Sequence, residues 1–284
     1  MVGALRECAE RLAVAGVERP RWEAEQIAAA VIGCEPIAFV VEAPVMRPGQ
    51  GEEIRRRVER RAAGEPLQYV TGLAGFFGHD FRVGPGIFIP RPETERLVEV
   101  TLREIAGLPV RHPVIVDVGT GSGAIAISLT LTSSVGTIHG FELSPLAMAG
   151  ARENAVRLGV SERIRWIHTD LLTSCAADRV DLIVANLPYV PTLAIPSLPQ
   201  DVRHDPLVAL DGGLDGLLVI RRLLRQATAC LRPHGIVVLE VGEGQAAQLR
   251  REFDTAWAAC EVVRDDPGVE RVIVFRRPKR GVRG

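Results

Sequence analysis

Val180-Asp181-Leu182-Ile183-Val184-Ala185-Asn186-Leu187-Pro188-Tyr189 is an apolar run, broken once by Asp181, that stops at a small amide, a proline and an aromatic ring. The run has the composition of a strand buried on both faces, and the last four residues that of a stiff turn leaving its carboxyl end. Ligands of open α/β sheets bind outside the carboxyl ends of the strands, so a site is expected at this turn. The Asn186 side chain offers both a donor and an acceptor and can grip another planar N–H group, while Tyr189 offers a π-face to a cation. Such a pair suits transfer of a methyl group from a sulfonium to a nitrogen. Taken alone, the four residues also read as an ordinary strand-to-loop turn.

Outward from this stretch, strand and helix patterns alternate. Strands are expected at 114–118, 137–142, 164–168, 180–185, 236–241, 261–264 and 269–275, with helices through Ile125 and Leu129, over 145–158 up to Gly159, and at about 214–230 and 244–254. Alternation of this kind predicts an α/β fold with a parallel sheet covered on both faces. Asp265-Asp266-Pro267-Gly268 is too short for a crossover helix, so the final strand should run antiparallel. Residues 1–75 are helical in pattern. Leu5, Cys8, Ala9, Leu12 and Ala13 define a first helix. A second begins after Pro20, is expected to bury Trp22, Ile27, Ala30 and Val31, and stops at Gly33. A third over 52–63 carries an arginine run that reads as a solvated face or an acidic-partner surface. Residues 76–92 form a linker, with a hairpin turning at Gly78-His79-Asp80 followed by a proline-stiffened segment. Thr94 should open and cap the helix carrying Leu97, Val98 and Leu102, at the start of a domain running over 93–284. Residues 190–212, with four prolines, read as a long irregular loop shaping an entrance.

The loop Asp117-Val118-Gly119-Thr120-Gly121-Ser122-Gly123 follows the first strand of the alternating region. Its glycines permit a tight turn with a ligand lying against bare backbone, and the helix start behind it favours a carboxylate or other anion. Glu142 closes the next strand, placed to accept ribose hydroxyls. A nicotinamide dinucleotide would prefer a third glycine one position later. S-adenosylmethionine has no pyrophosphate and fits the spacing better. Asp170 and Leu171, at the end of the third strand, are placed to accept from an adenine amino group and to pack on its ring; the competing reading of Asp170 is a helix N-cap.

The chain has 284 residues, 47% hydrophobic and 24% charged, with 34 Lys+Arg against 35 Asp+Glu and a net charge of −1. No global field favours nucleic acid or anionic lipid. Five scattered cysteines without C-x-x-C read as reduced thiols of a cytoplasmic protein, and the six histidines share no metal-ligand spacing. No apolar run nears membrane-spanning length. Trp166 and Trp257, like Trp22, are expected in the core.

Phe88-Ile89-Pro90-Arg91-Pro92-Glu93-Thr94-Glu95, the loop from Asp117 to Gly123, Asn186-Leu187-Pro188-Tyr189 and Asp211-Gly212-Gly213-Leu214-Asp215-Gly216 together resemble the release-factor glutamine methyltransferases. The resemblance spans nearly the whole chain. It implies a helical N-terminal domain, a hairpin linker and a seven-stranded Rossmann-like class I methyltransferase domain. The activity implied is methylation of the side-chain amide of the glutamine in the Gly-Gly-Gln loop of class I peptide chain release factors. It places Gly119, Thr120, Gly121, Ser122, Gly123, Glu142 and Leu171 on the cofactor, and Asn186, Leu187, Pro188 and Tyr189 on the glutamine, with Asn186 also beside the cofactor. No direct nucleic-acid partner and no membrane are implied. One departure stands out: the family pattern is Asn-Pro-Pro-Tyr, and Leu187 occupies its second position. Asn-Leu-Pro-Tyr is the form found in ribosomal RNA adenine dimethyltransferases, whose extra helical domain follows the catalytic one instead of preceding it. An RNA-adenine or small-molecule methyltransferase on the same scaffold, and a non-catalytic cofactor-binding protein, are the alternatives.

Overall fold

The computed structural model describes residues 2–41, 45–134 and 136–278. Its first part is helical: α1 (Val2–Val14), α2 (Pro20–Ile32), α3 (Ala38–Val41), α4 (Gln50–Ala62) and α5 (Leu67–Thr71). Leu12, Ile27, Ile54 and Val58, all buried, form its core. Pro20 opens α2 and Gly33 closes it at φ 80°. Trp22 departs from expectation. It is 47% exposed, because the buried face of α2 is built from Glu23, Ala24, Ile27, Ala28 and Ala29, one position round the helix. The arginines of α4 and its flank are largely engaged within the protein: Arg57 with Glu53, Arg60 with Glu65, Arg61 with Glu23.

The hairpin pairs β1 (Leu73–Phe76) with β2 (His79–Arg82). Its turn lies at Phe77-Gly78, not at Gly78-His79-Asp80. Both turn residues take positive φ, 48° and 76°, the geometry a two-residue turn needs to match strand twist. Phe76 and Phe81 pack edge to face beneath it.

The remaining elements are α6 (Glu95–Gly107), β3 (Ile115–Val118), α7 (Ala124–Thr132), β4 (Ile138–Glu142), α8 (Pro145–Arg157), β5 (Ile164–His168), β6 (Val180–Ala185), α9 (Leu207–Leu210), α10 (Leu218–Cys230), β7 (Leu231–Glu240), α11 (Gln245–Phe253), β8 (Ala259–Arg264) and β9 (Glu270–Arg276). Seven strands form one sheet in the order β5-β4-β3-β6-β7-β9-β8. The first five run parallel, and β9 is antiparallel to both its neighbours. The chain therefore lays β9 between β7 and β8. β6, the strand of the opening stretch, is buried at every residue, since β3 and β7 flank it and helices cover both faces. Asp181 is tolerated there because its carboxylate accepts from the Val114 N–H and pairs with Arg232. Residues 190–212 are more regular than expected. They contain two 3₁₀ turns (Thr192–Ser197 and Val202–His204) and α9. Trp257 is core; Trp166 is half-buried. Among the described residues no helix is long and apolar enough to cross a membrane.

Candidate active site

The loop between β3 and α7 is held from three sides. Gly119 and Thr120 donate backbone N–H groups to the Phe141 carbonyl of β4, at 2.8 and 3.2 Å. Asp117, fully buried, accepts from the Thr120 hydroxyl at 2.6 Å and the Ala126 N–H at 3.2 Å. Burial pushes its carboxyl up to about 7, against the pull of those two donors. Gly123 takes φ 83° at the start of α7, and a Cβ there would stand 2.9 Å from Ile127 and 3.1 Å from Ala151. Only glycine lets the start of α7 approach α8 this closely.

Glu142 ends β4 directly across from this loop. Its Oε2 accepts from the Gly121 N–H at 2.8 Å and its Oε1 from the Ser144 N–H at 2.7 Å. Each carboxylate oxygen has two lone pairs, so each keeps one for a further donor such as a ribose hydroxyl. Leu171 is buried and held at φ 50°. Asp170 beside it is partly exposed and paired with Arg222 at 2.6 Å. The N-cap reading of Asp170 fails. No helix begins there, and the Leu172 N–H is taken by Gln226 Oε1.

At the end of β6, Leu187 is 4% exposed and shares an apolar cluster with Val118, Phe141 and Leu171. Its Cδ2 would lie 3.0 Å from a Cβ on Gly119, so the leucine lies directly on the glycine loop. The residue that departs from the family pattern is thus a packing element joining β6 to that loop. Asn186 donates through Nδ2 to the Thr94 hydroxyl at 3.0 Å. Thr94 was expected to cap α6; it makes no capping bond and turns its hydroxyl to Asn186 instead. Pro188 and Tyr189 are half-buried. The Tyr189 carbonyl accepts from Gln245 Nε2 at 2.9 Å, its ring passes Gly242, and its hydroxyl faces the carboxyl of Glu240. A Cβ on Gly216, in the Asp211–Gly216 motif, would stand 2.2 Å from that same carbonyl, which explains the glycine.

The structure therefore brings together Gly119, Gly121, Glu142, Leu171, Asn186 and Leu187 around the ends of β3, β4 and β6, and sets Asp170 at the rim. Sequence reading missed two residues, Thr94 as a partner of Asn186 and Glu240. Glu240 ends β7 and is 1% exposed, with Oε2 lacking a hydrogen-bond partner among the described residues. Burial raises its carboxyl to about 7. The legible signal was a lone acid inside the apolar run Ile236-Val237-Val238-Leu239-Glu240-Val241, since charged residues are almost never fully buried unless paired.

A seven-stranded sheet of this order, with a glycine loop after its first strand, an acid closing its second and Asn-Leu-Pro-Tyr closing its fourth, defines a Rossmann-like methyltransferase. Solved structures agree at the level of fold. The chain superposes on the catalytic domain of hMettl16 with a TM-score of 0.57 at 14% identity, covering 81% of this chain and 82% of that one. On a ribosomal protein L11 methylase from Lactobacillus delbrueckii subsp. bulgaricus the TM-score is 0.50 at 20% identity, covering 70% and 85%. A PrmC N-terminal domain matches residues 3–72 and a methyltransferase small domain residues 97–198. A release factor glutamine methyltransferase of Moorella thermoacetica is 40% identical over 96% of this chain and 98% of its own length. One from Nitratidesulfovibrio vulgaris is 37% identical over 97% and 94%. The chain belongs to the release factor glutamine methyltransferase family.

Proposed function

We propose that this chain transfers a methyl group from S-adenosylmethionine to the side-chain amide nitrogen of the glutamine in the Gly-Gly-Gln motif of a class I peptide chain release factor. The observation that carries this reading is the state of Asn186. Its Nδ2 is committed to Thr94, which leaves Oδ1 as the edge available to a substrate N–H. The cofactor fits the residues present. Exposed Gly119 backbone and the Gly121 turn would take the amino-acid end, Glu142 the ribose hydroxyls through its spare lone pairs, and Leu171 and Asp170 the adenine. When bound it supplies an electrophilic methyl on sulfonium.

An amide nitrogen is a poor nucleophile because its lone pair is delocalised into the carbonyl. Asn186 Oδ1 and the Leu187 carbonyl accept the two N–H bonds of the glutamine, hold its nitrogen in line with the methyl and favour the rehybridised form. That nitrogen becomes acidic as the N–C bond forms and the methyl–sulfur bond breaks, and then releases one of those two protons to solvent. Positioning of this kind is worth roughly 7–11 kcal/mol. Tyr189, held by Gln245 through its carbonyl and with its hydroxyl beside Glu240, offers a ring face to the sulfonium. Glutamate is excluded, because a carboxylate set against two acceptors leaves buried groups unpaired at about 1–3 kcal/mol or more. Residues 1–75 serve as the docking domain for the protein substrate and 76–92 as its linker to the methyltransferase domain over 93–284. Intact-mass analysis of a class I release factor co-expressed with this chain tests the reading. A one-methyl gain on the Gly-Gly-Gln peptide is the expected result, and a release factor of unchanged mass, or methyl found on ribosomal RNA, would overturn it.

A further inference from the structure

Glu240 lies at the end of β7, beside the carboxyl end of β6, with its carboxyl facing the hydroxyls of Thr94 and Tyr189. Asn186 Nδ2 donates to that same Thr94 hydroxyl at 3.0 Å. A hydroxyl has a single proton. With an N–H arriving from Asn186, the Thr94 proton is free for the carboxylate. We propose that Glu240 is a positioning residue for methyl transfer: its carboxylate holds the Thr94 hydroxyl as an acceptor toward Asn186, and so keeps Asn186 Oδ1, and not Nδ2, turned to the substrate amide. This rests on the proposed function above.

The two faces of an asparagine amide differ little in shape, so packing alone does not choose between them. A buried carboxylate does, because it accepts only. The groups facing it come from three elements: Tyr189 from the turn after β6, Glu93 and Thr94 from the 3₁₀ turn Pro92–Thr94, and Arg271 from β9. Burial and Glu93 raise its carboxyl, while Thr94, Arg271 and Tyr189 lower it, and the balance stands at about 7. Above that pH the ionised group compels Thr94 to donate to it. Below it the protonated carboxyl no longer compels this, the Thr94 proton can turn to Asn186, and the amide can flip. A flipped amide sets Nδ2 against the substrate N–H, donor against donor.

The test uses the full chain, a class I release factor and labelled S-adenosylmethionine, with kcat and KM followed across about pH 6 to 9. Wild-type kcat should rise with an inflection near the Glu240 value. Glu240→Gln and Thr94→Val should each lower kcat by about 10- to 100-fold, the worth of a charge-assisted hydrogen bond, leave the KM for release factor nearly unchanged, and flatten the inflection. Thr94→Ser keeps the hydroxyl and should restore most of the turnover. A second readout is independent of activity. Hydrogen exchange at the Asn186 side-chain amide, followed by NMR, should be slow in wild type and fast in Thr94→Val. Wild-type kcat and an unaltered pH profile in Glu240→Gln, or an Asn186 amide indifferent to Thr94→Val, would overturn the proposal. A wild-type chain that leaves the release factor unmethylated would remove the proposed function, and the NMR measurement would still decide the orientation of Asn186.

Discussion

The Tyr69 hydroxyl of α5 lies 3.1 Å from Oδ1 of Asp205, a carboxylate whose side chain has no exposed surface. The same oxygen accepts from the Ile89 N–H at 3.1 Å, and Oδ2 pairs with Arg91. One acid therefore binds the helical region, the proline-stiffened linker and the 190–212 segment into a single junction. Removing one partner of a buried ion pair leaves the other charge uncompensated, at about 3–5 kcal/mol. Asp205→Ala should lose stability of that order in urea titration. Its KM for release factor should rise, because the segment bordering the entrance is released, while cofactor affinity stays as in wild type. A variant within about 1 kcal/mol of wild type would show the junction to be incidental.

Leu187→Ala removes a buried side chain from the seam between β6 and the glycine loop. Truncations of this kind cost about 2–5 kcal/mol. Since Leu187 lies directly on Gly119, the loss should appear as weaker cofactor binding in calorimetry, with turnover at saturating cofactor less affected. Equal cofactor affinity in the two proteins would mean that Leu187 packs without supporting the loop.

Asn186→Ala deletes one of the two acceptors assigned to the glutamine amide while leaving the loop, Glu142 and Leu171 in place. Cofactor binding should persist and most methyl transfer to release factor should vanish, by about 10²-fold or more, as when one preorganised hydrogen-bonding group is removed from an active site. A tritiated-methyl assay reads this directly, and undiminished incorporation would remove Asn186 from the reaction.

Glu240 and Asp117 make stability fall as pH rises. Both are fully buried carboxyls raised to about 7, from 4.5 and 3.8. A raised folded-state value means the folded protein binds the proton more tightly than the unfolded chain. The stability this confers is complete below the unfolded values and is lost as pH climbs through about 7. Each pH unit of that window is worth up to roughly 1.4 kcal/mol per group. Between about pH 5 and 8 the wild-type melting temperature should therefore fall more steeply than that of Glu240→Gln. Parallel curves would show that Glu240 does not titrate in this window.

The elements that position the site were legible because each leaves a local signature. β6 is an apolar run broken only by Asp181, the loop after β3 places a glycine at every second residue, and Glu142 stands at the end of a strand. Thr94 was not legible in this way, and Glu240 left only the mark of a lone acid in an apolar run. The bond from Asn186 to Thr94 joins residues 92 apart, and nothing in a Pro-Glu-Thr-Glu segment distinguishes a helix cap from a partner for a distant amide. The hairpin turn moved because Phe77 adopts positive φ, a conformation few side chains favour and none advertises. Trp22 fell outside the core because helical spacing marks a face without saying which of two adjacent stripes is covered.

β9 follows β8 along the chain, yet among the described residues it is β8's sole neighbour in the sheet and lies against β7. Synthesis thus delivers β8 before there is any strand for it to join. β9 is also what sets Val272 opposite Glu240, accepts the Val241 N–H through the Arg271 carbonyl, and brings up the Arg271 guanidinium. A polypeptide halted short of residue 270 would already possess every glycine of the loop and the whole Asn-Leu-Pro-Tyr turn, but β7 would lack its outer partner and Glu240 the Arg271 charge. Competence in this enzyme arrives late in translation, with a hairpin that closes the sheet from its far edge.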